Sequence, residues 1–362
     1  MNPSLFLYLF AGALVPSIGF AAVSAVVGYW VVLVSRHSIV EGRLWLPHYP
    51  QVLVPLFLVV VALGMLTWQR PVDFKDPLAL MLFFAVLPAL VCALALRDDG
   101  WMDAARRTFF LAFVVASAAI IVWTLFAGVD WQRNYALLRT LHKNAVGPDY
   151  EVLLIPAMLD QHTRGRRLLC AAVGLVCLVL VGSKTAIVLT TAAVAILLFR
   201  WLGVAAVVLA AVPVVAMSLG SLTLESPLRN AVLRFVLWAQ AWDEITASPT
   251  HLWLGVGPGT FTALVDLPGL VGLDSPHNML VGWWHSYGLL GLLLLTGFLG
   301  WLLRRFGVTT SPFLAAFWLF NLHALFDVGW VKGAGFVASA ALGLGMADVA
   351  RRERVSLSSP GM

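Results

Sequence analysis

The chain is short of charge. Asp, Glu, Lys and Arg make up 11% of its 362 residues against 61% hydrophobic, and the mean hydropathy is +0.91, whereas a water-soluble globular domain carries about 25% charged residues. A soluble globule is excluded on that ground. Cysteine is scarce too: Cys92, Cys170 and Cys177 lie inside apolar runs with no histidine at ligand spacing, which points to packing rather than to a disulfide framework or a zinc site. The period-2 alternation of strands is missing from the apolar runs. Each run extends over roughly 15 to 25 residues, helix length across a bilayer, so an outer-membrane barrel is excluded. The first run, 4–34, lacks a basic start and a small-residue cleavage pattern and is expected to be a retained membrane segment rather than a signal peptide. The fold class expected is all-α, one polytopic membrane bundle over residues 1–362.

What is present is a succession of apolar blocks near 4–34, 51–67, 77–96, 108–129, 145–159, 168–182, 185–199, 202–220, 278–302, 309–326 and 333–349. That reads as eleven membrane helices, or twelve if Pro16 and Gly19 hinge the long first block into a hairpin. Placing Arg351, Arg352 and Arg354 in the cytoplasm and counting back puts most of the 23 basic residues inside. Arg70, Lys75, Arg133, Arg139, Lys143, Lys184, Arg229, Arg234 and Lys332 fall outside, against the usual bias. Solvation or contact with lipid head groups accounts for Arg70, Lys75 and Lys332. The clusters ask for more: Arg133, Arg139, His142 and Lys143 share one connector, and Arg229 and Arg234 share the largest loop, so both could converge on one polyanion such as a diphosphate.

That loop, 221–277, interrupts the apolar pattern for about 55 residues. Ser226 followed by Pro227 has the form of a helix start, and the lack of breakers as far as Ser248-Pro249 predicts a helix near 227–247. Its apolar residues Val232, Phe235, Trp238, Ala239 and Trp242 recur at helical spacing, as in a helix lying on a membrane face. Gly255-Val256-Gly257-Pro258-Gly259 lacks the preceding strand of a dinucleotide loop, and Pro258 removes a backbone donor; a tight turn with close backbone approach is expected instead. The loop closes on Pro276-His277-Asn278, at the lip of the next apolar run. There a helix N-terminus disfavours imidazolium, so His277 would stay neutral as a proton acceptor, with Asn278 orienting it or a sugar. The competing account is a histidine that caps the helix and bonds its backbone. His323 and Asp327, four residues apart, either line a cavity or close the bundle.

The order Arg234-x-x-x-Trp238, Gly255-Val256-Gly257-Pro258-Gly259-Thr260-Phe261, His277-Asn278 and Tyr287-Gly288-Leu289-Leu290-Gly291 resembles the O-antigen ligase and Wzy-type polymerase superfamily, with 143–305 as the region of likeness. Val181-Gly182-Ser183-Lys184-Thr185 extends the match, with lysine where family members commonly carry arginine. The resemblance implies a GT-C-like, inverting, metal-independent and cofactor-free transferase at the periplasmic face of a bacterial inner membrane. Its partners would be a donor glycan on undecaprenyl diphosphate and an acceptor that is either lipid A core or a lipid-linked repeat unit, with membrane lipids around it and no nucleic acid. Carried over by motif, His277 would deprotonate the acceptor hydroxyl, and Arg234 and Lys184 would hold the diphosphate, with Arg229, Arg139, Lys143, His142 and Asn278 beside them. Family members often have a glutamate where this chain has Ser286, so no carboxylate partner for His277 or His285 can be read from the sequence. Ligase and polymerase share these motifs. A lipid-linked glycan transporter is the alternative from another class, although no repeated half with matching interrupted helices is visible.

Overall fold

The computed structural model describes Leu5, residues 29–31, 49–68, 75–97, 99–126, 143–198, 225–262, 275–326 and 335–358. Every regular element among them is helical: α1 (Tyr49–Met65), α2 (Lys75–Met81), α3 (Leu87–Arg97), α4 (Asp99–Leu125), α5 (Lys143–Leu159), α6 (Arg164–Val181), α7 (Lys184–Leu198), α8 (Glu225–Thr246), α9 (Pro249–Leu254), α10 (Met279–Phe306), α11 (Pro312–Ala324) and α12 (Gly335–Ser358). The expected blocks 4–34 and 202–220 lie almost wholly or wholly outside the described residues, and so does Asp327. Three stretches, Pro77–Arg97, Gly100–Leu125 and Met279–Phe306, are long and apolar enough to cross a membrane. The helix expected near 227–247 is α8, begun two residues earlier.

A π-helical turn, Leu82–Val86, joins α2 to α3. Its cause is Pro88, which has no N–H to give. The Leu87 N–H reaches back five residues to the Leu82 carbonyl, and the Ser339 hydroxyl of α12 lies between the Phe83 carbonyl, 2.9 Å away, and that of Gly335, 2.5 Å away. Small residues let α12 come that close: Gly343 faces the Pro88 carbonyl and Val91, where a Cβ would sit 2.5 Å from the former.

Helix α5 is the central rod. Every residue from Val146 to Met158 is buried, under α4, α6, α7, α11 and α12. Polar side chains are thus carried into the middle of the bundle. Tyr150 meets Ser117 of α4 at 2.6 Å, and Glu151 meets His323 of α11 at 3.0 Å. One end of the bundle gathers the charge: Arg106 lies 3.5 Å from Asp160 and 3.3 Å from Asp348, and Arg305 grips Glu353 with two contacts at 2.6 and 2.7 Å. Burial raises the Asp160 carboxyl above its usual range and Arg106 draws it back. Arg106 and Arg305 are among the basic residues that the charge count put on one side.

Helix α10 is two rods. Gly288 takes φ 67° and ψ −171° inside it, a conformation open to glycine and closed to residues with a Cβ. The bend is sharp: the rings of Trp283 and Phe298 both touch Phe84, at 6.1 and 6.0 Å, although fifteen residues of straight helix would set them about 22 Å apart. The N-terminal arm, 279–287, therefore folds toward the face of the C-terminal arm, 289–306.

Candidate functional site

The end of the bundle opposite the charged one is where the sequence motifs meet. Pro276-His277-Asn278 forms a turn ahead of α10, held from two sides. The Trp238 indole N–H of α8 donates to the Pro276 carbonyl at 2.9 Å, and the Asn278 amide donates to the Leu325 carbonyl, at the end of α11, at 2.8 Å. The other amide atom of Asn278 accepts from the Val281 N–H at 3.0 Å as the helix N-cap. Asn278 is thus engaged with the protein at both ends of its amide, and the capping role that the sequence left open for His277 belongs to its neighbour. His277 has φ 51°, the one non-glycine residue with positive φ among the described residues. That conformation costs an L-residue about 1–2 kcal/mol, and strain of this kind persists where surrounding bonds fix it, often at functional positions.

Arg234 sits half-buried on α8, one turn before Trp238, whose ring is met edge-on by Phe235 at 5.3 Å. The motif thus supplies a tether and, one turn away, a cation. Farther along the same helix Glu244 accepts from the His285 ring at 2.9 Å, with His285 1% exposed. No carboxylate for His285 can be read from the sequence; Glu244 provides one, 41 positions away in the chain and on another element. The Gln240 amide braces Glu244 at 2.9 Å and also reaches the Thr262 carbonyl at 2.8 Å, while Phe261 packs edge-on against the His285 ring. Gln240 and Glu244 share a helix face at i and i+4, a spacing the sequence analysis did not single out.

The glycine-rich turn makes the close backbone approach that the sequence led one to expect. Gly255, at φ 82°, lies against the backbone of Ser286 and Gly288, and a Cβ on it would come within 2.6 Å of both. The Val256 N–H donates to the His285 carbonyl at 2.7 Å, and the Trp68 indole closes the far side on the Leu254 carbonyl at 3.1 Å.

Lys184 stands exposed at the first turn of α7, after Gly182 in left-handed conformation (φ 75°) and buried Ser183. Gly147 of α5 admits Ser183, whose Oγ would be 2.5 Å from any Cβ placed there. Through α5 and α11 the Lys184 turn and the Pro276–Asn278 turn belong to the same end of the bundle. Arg133, Arg139 and His142 lie outside the described residues, as do the side chains of Lys143 and Arg229, although Lys143 opens α5 and Arg229 is in the first half of α8. Among the described residues no three His, Cys, Asp or Glu side chains come together as a metal-ligand set.

An apolar, aromatic groove of about 400 Å³ runs beside the site between α8 and the N-terminal arm of α10, lined by Phe235, Trp238, Ala239, Trp242, Val281 and Trp284 among others. The Trp284 N–H is engaged by the Leu252 carbonyl at 3.2 Å. No protein-family model matches the chain, and no curated protein matches it.

Proposed function

We propose that this chain is a multi-pass membrane glycan transferase of the O-antigen ligase type, with its site facing the periplasm across a bacterial inner membrane. The observation that carries the reading is His277, held left-handed in a turn tied to both α8 and α11, at the end of the bundle where Lys184 is exposed and where Arg234 lies one helical turn from the Trp238 tether. In this reading His277 takes the proton of the acceptor hydroxyl as that oxygen attacks the anomeric carbon from the side opposite the diphosphate, giving inversion. Arg234 and Lys184 neutralise the charge that grows on the departing diphosphate. General-base help is worth about 10²- to 10⁴-fold and one preorganised charge contact about 10²- to 10³-fold. Lysine serves as a point charge and lacks the two-pronged grip of arginine. The Glu244–His285 pair fixes α8 against α10 and so sets the distance from Arg234 to the turn.

The test is transfer by purified protein in lipid, given an undecaprenyl-diphosphate-linked oligosaccharide, with lipid A core and the same lipid-linked glycan as acceptors. Glycan on the core makes it a ligase. A ladder of longer lipid-linked chains makes it a polymerase. Absence of both with folded protein and several glycan types defeats the transferase reading and favours transport, for which a buried acid–histidine pair inside a bundle is the supporting observation.

A further inference from the structure

The most buried ionisable pair in the described core is not part of the mechanism above. Glu151 of α5 and His323 of α11 are both 0% exposed, 172 positions apart in the chain, and their Oε1 and Nδ1 atoms are 3.0 Å apart. Thr190 of α7 donates to the other carboxylate oxygen at 3.3 Å, so three helices meet at one carboxylate. Apart from Asp149, the neighbouring titratable groups on the packed helices have other engagements or lie elsewhere. Tyr150 is turned to Ser117 at 2.6 Å, and Cys177 to the Ser117 carbonyl at 3.8 Å. Asp348 of α12 is held by Arg106 and Arg352 at the charged end, and Lys184 is exposed. Asp149, also buried on α5, has an Oδ1 with no hydrogen-bond partner among the described residues. A lone charge in such a place is expensive, and a pair that shares a proton is the arrangement that keeps net charge at zero.

What makes this pair more than packing is where α11 goes next. The His323 carbonyl accepts from the Phe326 N–H at 2.8 Å, ending the helix, and the Leu325 carbonyl within that last turn receives the Asn278 amide at 2.8 Å. Asn278 caps α10 and follows His277 directly. A bond within α5–α7–α11 is therefore two residues and one hydrogen bond from the turn that carries the strained histidine. The tether from Trp238 fixes the other side of that turn, so a shift of Leu325 would be taken up by the residue between the two anchors, His277.

We propose that Glu151 and His323, with Thr190, are positioning residues for His277: a proton-sharing strut that sets the height of the α11 end and through it the geometry of the His277 turn. The inference rests on the transferase reading for its catalytic consequence, but the geometry itself can be tested without turnover.

The experiment follows carbethoxylation of His277 by diethyl pyrocarbonate, read by peptide mass spectrometry on the full chain in lipid nanodiscs, with exposed His162 at the charged end as internal reference. Glu151→Gln and His323→Gln are expected to change the His277 rate relative to His162, and the exchange Glu151→His with His323→Glu to restore it. Ser117→Ala, which removes an equally buried hydrogen bond from the same central helix, is expected to leave it unchanged. In parallel, transfer by the single variants should lose between about 10- and 100-fold in kcat at unchanged KM. An unaltered His277 rate in folded Glu151→Gln overturns the proposal, and so does an equal change in Ser117→Ala, which would reduce the pair to general packing. Should either single variant fail to fold, Thr190→Val decides by the same two criteria. Loss of transfer in the wild-type chain with the His277 response intact would overturn the reading of function and leave the strut standing.

Discussion

Gly255 and Gly288 meet backbone to backbone: a Cβ on the first would lie 2.6 Å from the Gly288 nitrogen, and a Cβ on the second would collide with the Trp253 carbonyl group. Two motifs separated by more than thirty residues of sequence are in this way one structural unit, the turn after α9 seated in the bend of α10. Each glycine also has positive φ, 82° and 67°, so neither conformation nor space admits a side chain.

Gly255→Ala and Gly288→Ala should each destabilise the protein by about 2 kcal/mol or more, the sum of left-handed strain and overpacking. Gly297→Ala and Gly300→Ala, in the straight arm of the same helix with nothing within 4 Å of their built Cβ atoms, should instead gain up to about 1 kcal/mol. Thermal unfolding midpoints of the four variants in one detergent check this; equal losses at all four positions would refute it.

At His277 stability and activity should part company. His277→Gly is expected to relieve the left-handed backbone and raise stability by about 1 kcal/mol, while transfer falls by about 10²-fold or more with the base gone. His277→Ala should lose the same activity and keep the strain. A glycine variant that transfers normally would remove the role assigned to the imidazole.

The fold was legible where one physical signal dominates. Long apolar runs gave α3, α4 and α10, and Ser226-Pro227 announced α8 to within two residues. The bend at Gly288 was not legible, because a glycine inside an apolar run reads equally well as packing; only the backbone of Gly255 pressed against it explains the pair. Glu244 escaped notice for a related reason. Its link to His285 joins two elements 41 positions apart, and the amphipathic pattern of α8 marks Glu244 as a solvent-facing residue, whereas the parallel course of α8 and the N-terminal arm of α10 turns it inward. His323 stands out in the sequence beside Asp327, which lies outside the described residues; the contact of its ring with Glu151, on another helix, could not be read from spacing.

Removing Glu244 should act on both arms of this arrangement. Glu244→Ala leaves a buried imidazole without its acceptor and is expected to cost about 1–3 kcal/mol. In a double-mutant cycle with His285→Ala the two losses should fall short of additive by at least about 0.5 kcal/mol, as they do for residues in direct contact. Additive losses would mean that the 2.9 Å contact carries no energy.

Acid should loosen the charged end. The two hydrogen bonds from Arg305 hold the Glu353 carboxyl below its ordinary range, so its contribution is present above the unfolded value, near pH 4.3, and is lost as pH falls through the lower folded value. Both partners are nearly half exposed, and solvent screening limits the pair to about 1 kcal/mol or less. Glu353→Gln should lower the unfolding midpoint slightly at pH 7 and flatten its decline below about pH 4; identical profiles for variant and wild type would show the pair to be inert.

The bend in α10 also decides how the protein answers to the thickness of its bilayer. The arm from Leu289 to Phe306 is about 27 Å long, slightly short of an average hydrocarbon core of about 30 Å. Hydrophobic mismatch is met by tilting a helix or thinning the lipid around it. Here such a tilt pivots at Gly288, while the arm beyond it is clamped by Asn278 to α11 and by His285 to α8. Shorter or longer acyl chains would swing the membrane arm and leave the His277 turn where it is, a suspension that isolates that turn from the thickness of the surrounding lipid.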